Sequence, residues 1–304
     1  MINPDHKKCW SFFFITSILF ISYSGCSKKE EGKKIPITGA VIVTDGSNAG
    51  MVYNFNLQTG KIDTLLSNKG ELYGRIVRIS DSEFVIEDWN KLVKFNLTSH
   101  QITTMRNGED QTYVEESRKL FFYCQVSFDE KMGSKYGLYV ASMDSLERPM
   151  LLAKSPAPPH SPVAPVQISA DEIVFIGEDA NIWEYNIASN SLISTGIPGD
   201  YRPIAWIKAK GVLLCSLPDS GIGLYGVNLI TKEKRRLGII KDILDTELGY
   251  IEKYNVVIYS DVNHGLFGEL SGTSHDLYVY SFSKQVSEKL ASNLRMDSEV
   301  YLDR

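Results

Sequence analysis

The chain has 304 residues, a formal net charge of −5 and 43% hydrophobic residues. This mild acidity argues against the basic footprint of a nucleic-acid partner. With a leader segment set aside, the length is that of one large domain and leaves no room for a second.

Residues 1–25 read as a secretory signal. Lys7 and Lys8 precede an apolar run from Cys9 to Ile21, and Ser22-Tyr23-Ser24-Gly25 supplies the small residues before Cys26. The run is short of the ~20 apolar residues that a membrane span needs. Ser24-Gly25-Cys26 resembles the lipobox of bacterial lipoproteins, with Tyr23 where that family usually has Leu. The resemblance implies cleavage before Cys26, acylation of that cysteine and a chain tethered to a membrane of the bacterial envelope. Residues 26–36 hold six charges between Ser27 and Lys34 and read as a solvated linker.

Residues 37–304 carry one phrase six times: Tyr53–Leu57, Val93–Leu97, Tyr139–Met143, Trp183–Ile187, Tyr225–Leu229 and Tyr278–Phe282. The phrase recurs every 40–53 residues, the period of a propeller blade. Its first, third and fifth columns are apolar, the period of a strand face, and its fourth is Asn or Ser, which suits a reversing chain. A polar turn and another short strand follow each copy. Two strands precede it in a full unit, as in Val166–Ser169 and Glu172–Gly177 before Ile182–Ile187. The sequence therefore predicts an all-β fold, a six-bladed propeller of four-stranded antiparallel blades. The first unit lacks its innermost strand. Glu299–Leu302 is strand-like without a blade of its own, so it is expected to pair beside Ala40–Thr44 and close the ring. Ile239–Glu247 is the best candidate for a short connecting helix. Cys124 and Cys215 fall in different blades, too far apart for a disulfide, and read as small hydrophobes.

The resemblance to propellers implies that the loops between second and third strands, and between blades, gather on one face. On this chain those loops hold Asp45, Glu87, Asp88, Asp129, Glu130, Glu178, Asp179, Asp219 and Asp261, with Glu109, Asp110, Asp200, Asp242 and Asp245 between blades. Such carboxylates would attract a basic peptide or hold a divalent cation such as calcium. Asp is also a plain turn residue. Two longer loops, Ser155–Pro162 with His160 and Asp261–Ser274 with His264, join that face. Their histidines, with His275, would suit a metal or a general base. No nucleophile elbow, zinc-binding His-Glu-x-x-His or phosphate loop is present. Gly221–Gly226 matches a dinucleotide fingerprint by letters only, because it enters a strand and not a helix.

No Trp-Asp pair or Gly-Gly pair marks the better-known propeller repeats. Ile182-Trp183-Glu184-Tyr185-Asn186 instead resembles the strands of TolB-like six-bladed propellers, although their Asp-Gly turn is replaced here, Thr59-Gly60 being nearest. That resemblance implies a cell-envelope binding scaffold, and some relatives are hydrolases or lyases. Two functions are thus expected to compete. The leading one is a lipid-anchored scaffold that binds a protein or peptide through Asp45, Asp88, Asp129, Asp179, Asp219, Asp261, His160 and His264, without an obligatory cofactor. The alternative is a metal-assisted enzyme acting on carbohydrates or lactones at the same face.

Overall fold

The computed structural model describes residues 40–45, 51–67, 73–129, 133–154, 163–219, 221–241, 248–263, 274–294 and 299–302. The signal, Cys26 and the linker lie outside them, as do His160, His264 and most of both long loops. Among the described residues, no helix is long and apolar enough to cross a membrane.

The strands form four-stranded antiparallel sheets arranged as a propeller. The first sheet takes β1 (Ala40–Asp45), β2 (Met51–Asn56) and β3 (Ile62–Ser67). The second is β4 (Tyr73–Arg78), β5 (Glu83–Asp88), β6 (Lys91–Asn96) and β7 (Ile102–Asn107). The third is β8 (Glu109–Val114), β9 (Lys119–Asp129), β10 (Gly133–Ser142) and β11 (Met150–Lys154). The fourth is β12 (Val166–Ser169), β13 (Glu172–Ile176), β14 (Asn181–Asn186) and β15 (Ser191–Pro198). The fifth is β16 (Arg202–Ile207), β17 (Val212–Asp219), β18 (Gly221–Val227) and β19 (Lys234–Lys241). The sixth is β20 (Leu248–Ile251), β21 (Val256–Asn263), β22 (Ser274–Ser281) and β23 (Val286–Leu294). Finally, β24 (Glu299–Leu302) returns to the first sheet, whose order is β24-β1-β2-β3.

Five of these four-stranded sheets are each contiguous in the chain. The remaining sheet is a composite of both ends, because the chain is cut between its first and second strands. Val41 faces Leu302 and Thr44 faces Glu299 across that join.

The repeated phrase lies on the third strand of every sheet, and its alternation explains the packing. First-, third- and fifth-column side chains point towards the preceding sheet. Val93 and Phe95 pack with Val52 and Leu66 of the first sheet. Trp183, Tyr185 and Ile187 pack with Tyr123, Leu138 and Val140 of the third. Tyr280 and Phe282 pack with Leu214, Ile222 and Leu224 of the fifth. Phe55 of the first sheet packs with Val256, Ile258, Leu277 and Val279 of the sixth. The core is thus a set of apolar seams between sheets. Each fully buried Leu or Phe side chain contributes roughly 1.5–3 kcal/mol. The first strands meet side by side around the axis. β4 lies against β8, β8 against β12, β12 against β16, β16 against β20, β20 against β24, and β24 against β4.

The fourth-column Asn or Ser organises the turn after each phrase. Asn56 Oδ1 accepts from the N–H groups of Gln58 and Thr59, Asn96 Oδ1 from Thr98 and Ser99, and Asn228 Oδ1 from Ile230 and Thr231. Four residues after the cap the backbone turns left-handed, at Gly60, His100, Asn190, Lys232 and Gln285. Where the third column is Tyr, its buried hydroxyl finds a partner in that turn: Tyr185 donates to Asn190 Oδ1 (2.8 Å) and Tyr280 to Gln285 Oε1 (2.9 Å). A buried hydroxyl left without one would cost more than the bond contributes.

Three expectations are corrected. Ile239–Lys241 are strand and not helix, because Ile239 pairs with Gly223 and Ile240 with Ile222. Asp261 lies within β21, opposite Asp276, and not in a loop. Glu109 and Asp110 open β8 and are not part of an interblade loop. Cys124 is half-buried and Cys215 fully buried, and neither is in a disulfide. Burial pushes both thiols up, which makes them poor nucleophiles.

Candidate functional site

In every sheet the chain runs the same way, so the second strand ends where the third begins on one common face. That hairpin face receives the backbone of Asp45, Asp88, Asp129, Asp219 and Asp261 near the ends of β1, β5, β9, β17 and β21, and of Asp179 in the β13–β14 turn. The opposite face carries the turns joining first to second and third to fourth strands. The second strand lies one strand out from the axis, about 5 Å. The aspartates therefore mark positions around the mouth and do not converge on a point. Among the described residues, no three His, Cys, Asp or Glu side chains approach closely enough to hold a metal ion.

One sector is denser in charge. Glu87, Asp88 and Trp89 form the tip of the β5–β6 hairpin, and Glu109 and Asp110 open the neighbouring β8. The two are laced together: the Gly108 N–H donates to the Asn90 carbonyl (2.8 Å) and the Asp110 N–H to Glu87 Oε2 (3.0 Å). Gly108 has to be small, because a Cβ there would lie 2.8 Å from the Phe122 ring. A bulge between Glu109 and Thr112 puts Asp110 in a left-handed conformation, at φ 49°. Beneath it, Arg75 Nε donates to the Gln111 carbonyl (2.9 Å), and Gln111 Nε2 donates to the carbonyls of Arg75 (2.5 Å) and Val85 (3.2 Å). These bonds pin β4 to β8 at the rim. Burial raises the Glu109 carboxyl above its ordinary range. Trp89 stands beside these acids, 61% exposed and also left-handed, at φ 52°. An exposed indole among carboxylates suits a cationic or amphipathic guest.

The expected aspartates are not equivalent. Asp179 is occupied within its own turn. Its Oδ1 accepts from Trp183 Nε1 (2.7 Å) and the Asn181 N–H (3.1 Å), and its Oδ2 from Asn181 Nδ2 (2.8 Å). Burial pushes this carboxyl up, but the bonds from Asn181 and Trp183 outweigh it and hold the group below its usual value. Asp179 thus shapes the hairpin. Asp88 pairs across β5–β6 with Lys91 and is half-buried. Sequence reading did not pick out Trp89 as a site residue. An aromatic directly after two acids, at a hairpin tip, is the signal that would have shown it.

A cleft lies elsewhere among the described residues, on the turn face between the second and third sheets. It has about 280 Å³ and is lined by Ile79, Glu83, Lys94, Tyr113, Arg118 and Asp144. Its charges neutralise one another, Lys94 pairing with Glu83 (3.1 Å) and Arg118 with Asp144 (2.8 Å). It is smaller than the usual ligand pocket.

No known family model matches this chain, and no curated protein matches it. Solved structures do. TolB from Acinetobacter baumannii superposes with a TM-score of 0.63 at 10% identity, over 86% of this chain and 64% of TolB. The chain therefore spans less than two thirds of that protein. The nidogen/laminin complex gives 0.57 at 10% identity, over 87% of this chain and 97% of the matched one. An oligogalacturonate lyase from Vibrio parahaemolyticus gives 0.52 at 13%, over 85% and 80%. At these identities the likeness is one of fold, and the fold that this chain shares with them is the β-propeller.

Proposed function

We propose that this protein is a lipid-anchored envelope scaffold whose six sheets close into one six-bladed ring, and whose hairpin face binds a basic segment of a protein or peptide partner. The observation that carries the binding reading is the sector where Glu87 and Asp88 precede the exposed Trp89 at the β5–β6 hairpin tip and the Asp110 N–H ties the start of β8 to Glu87. Complementary charge would steer a cationic partner to this mouth, and the indole would anchor it. Support for one ring comes from the unbroken circuit of first strands and from the seam that joins Phe55 to the sixth sheet. Support for the anchor is the leader ending in Ser24-Gly25-Cys26. The relatives in fold include TolB and a protein in a nidogen/laminin complex.

Trp89 serves as a native reporter. Titration with lysine-rich peptides should change its emission, and added salt should weaken the change as screening sets in. Asp110→Asn with Glu109→Gln should weaken it further. Acidic peptides acting as strongly as basic ones would refute the reading.

The enzyme reading draws on the likeness to oligogalacturonate lyases, one of them solved in complex with manganese. The described residues do not fit a metal site, so no catalytic step follows from them. Metal retained by the protein after dialysis would favour that reading.

A further inference from the structure

The turn face is uneven, and the fifth sheet is its outlier. In the third-to-fourth strand turns, the residue two after the Asn or Ser cap is Gln58, Thr98, Asp144, Ala188 and Ser283 in the other five sheets, all small or polar. In the fifth it is Ile230, 90% exposed at the tip. The first-to-second strand turns show the same contrast. They read Ser80-Asp81, Glu115-Glu116-Ser117-Arg118 with Arg118 paired to Asp144, and Ala170-Asp171 in the second to fourth sheets, but Lys208-Ala209-Lys210 in the fifth. Neither lysine is buried. The sixth sheet continues the patch with exposed Lys253, whose ammonium lies over the Tyr254 ring at 5.2 Å, and the Glu252 carboxylate accepts the Ala209 N–H (3.2 Å). Glu233 and Glu252 are the carboxylates that the turns of these two sheets carry.

The chain enters at this same face. Ala40 pairs with Asn56, the residue that caps the first of these turns. Cys26 is fourteen residues earlier, so the chain between them reaches at most about 50 Å.

We infer that the turns of the fifth and sixth sheets form a membrane-docking surface: Ile230 enters the headgroup region of an anionic bilayer, and Lys208, Lys210 and Lys253 flank it against the lipid phosphates. Basic residues around an apolar tip are the composition of an interfacial contact. A single exposed isoleucine is unremarkable alone. Here it coincides with paired lysines and with the point of chain entry. Docking turns the acidic hairpin face away from the bilayer, towards a soluble partner. The inference rests on the anchored reading above.

The test uses the full chain, expressed with its own leader and reconstituted in vesicles of phosphatidylcholine and phosphatidylglycerol containing bromine-labelled acyl chains. Ile230→Trp places an indole at the tip. The emission that it adds over wild type should be quenched, while the Trp89 contribution, taken as the difference between wild type and Trp89→Phe, should not. The quenching should fall on replacing phosphatidylglycerol with phosphatidylcholine. Lys208→Glu with Lys210→Glu should cut partition of the tip about tenfold or more, with an unchanged circular-dichroism spectrum. Mass measurement of Cys26 keeps the two claims separate. An acylated chain whose residue 230 stays unquenched overturns the docking surface and leaves the anchor standing. A chain without acyl groups whose residue 230 is quenched removes the anchor and keeps the docking surface. Equal quenching at 89 and 230 overturns the orientation.

Discussion

The seam between the fifth and sixth sheets offers a test of packing whose magnitude follows from the structure. Gly238 sits on β19, and a Cβ there would lie 2.1 Å from the Tyr280 hydroxyl, 2.8 Å from Cζ and 2.9 Å from Cε1. All three distances are shorter than real Cβ contacts. Tyr280 cannot simply swing away, because it is 2% exposed, packs edge-on against Phe282 at 5.5 Å and donates to Gln285 Oε1. Gly238→Ala should therefore cost what overpacking of a core costs, about 1–3 kcal/mol, with the upper end expected here. Tyr280→Phe alone loses one hydrogen bond, about 1 kcal/mol. It also removes the closest atom from the path of the introduced methyl group, so the double variant should be more stable than the sum of the singles, by about 1 kcal/mol. Relief stays partial because the ring carbons remain. Urea unfolding followed by far-ultraviolet circular dichroism measures all four proteins. A cost of 2–3 kcal/mol lowers the thermal midpoint of a domain of this size by roughly 4–12 °C. Gly238→Ala within about 0.5 kcal/mol of wild type, or strict additivity in the cycle, would refute the placement of Tyr280 under β19.

Further outcomes follow from single residues. Lys232 is left-handed at φ 62°, where a β-carbon costs about 1–2 kcal/mol, so Lys232→Gly should stabilise slightly despite the extra entropy of glycine in the unfolded chain. Asn228→Ala should cost about 0.5–2 kcal/mol, because the N–H groups of Ile230 and Thr231 lose their acceptor. Both are read from chemical unfolding midpoints. Glu109 has a raised carboxyl pKa through burial, so the folded chain keeps this proton to higher pH than the unfolded chain does. Its contribution to stability is therefore present below the unfolded pKa, near 4.5, and is lost as pH rises through the folded value. Glu109→Gln should flatten that decline in a series of unfolding curves across the carboxylate range. Deleting residues 299–304 removes the partner of Val41–Thr44, exposes the inner edge of β1, and should lower stability far more than trimming a tail does, with aggregation seen by light scattering.

The third strands were legible because their apolar columns face a neighbouring sheet at every repeat, which leaves a period-two pattern that only burial on such seams enforces. The composite sheet was legible too, from a unit short of one strand and a strand short of a unit. Other features depend on contacts remote in the chain. Gly238-Ile239-Ile240 is apolar without alternation, so Ile239 could not be assigned to a strand until its pairing with Gly223 was seen. The left-handed positions at His100, Lys232 and Gln285 carry no glycine to announce them, since the Asn or Ser cap four residues earlier does the work of shaping the turn. In the candidate site, the aspartates at second-strand ends were visible as turn chemistry. That Asp179 is consumed by Trp183 and Asn181, whereas the Asp110 N–H is tied to Glu87 of the β5–β6 hairpin, depends on side-chain geometry that composition does not encode.

The most direct test of the account is cross-linking of the chain in its native envelope, followed by pull-down, with wild type compared to Trp89→Ala and to Glu109→Gln with Asp110→Asn. Asparagine keeps the left-handed backbone at 110 comfortable, so the fold is preserved. The account predicts one recurrent partner with a basic segment, recovered with wild type and lost with both variants. A partner recovered equally with all three proteins, or none recovered with wild type, would contradict the acidic hairpin face as the binding surface.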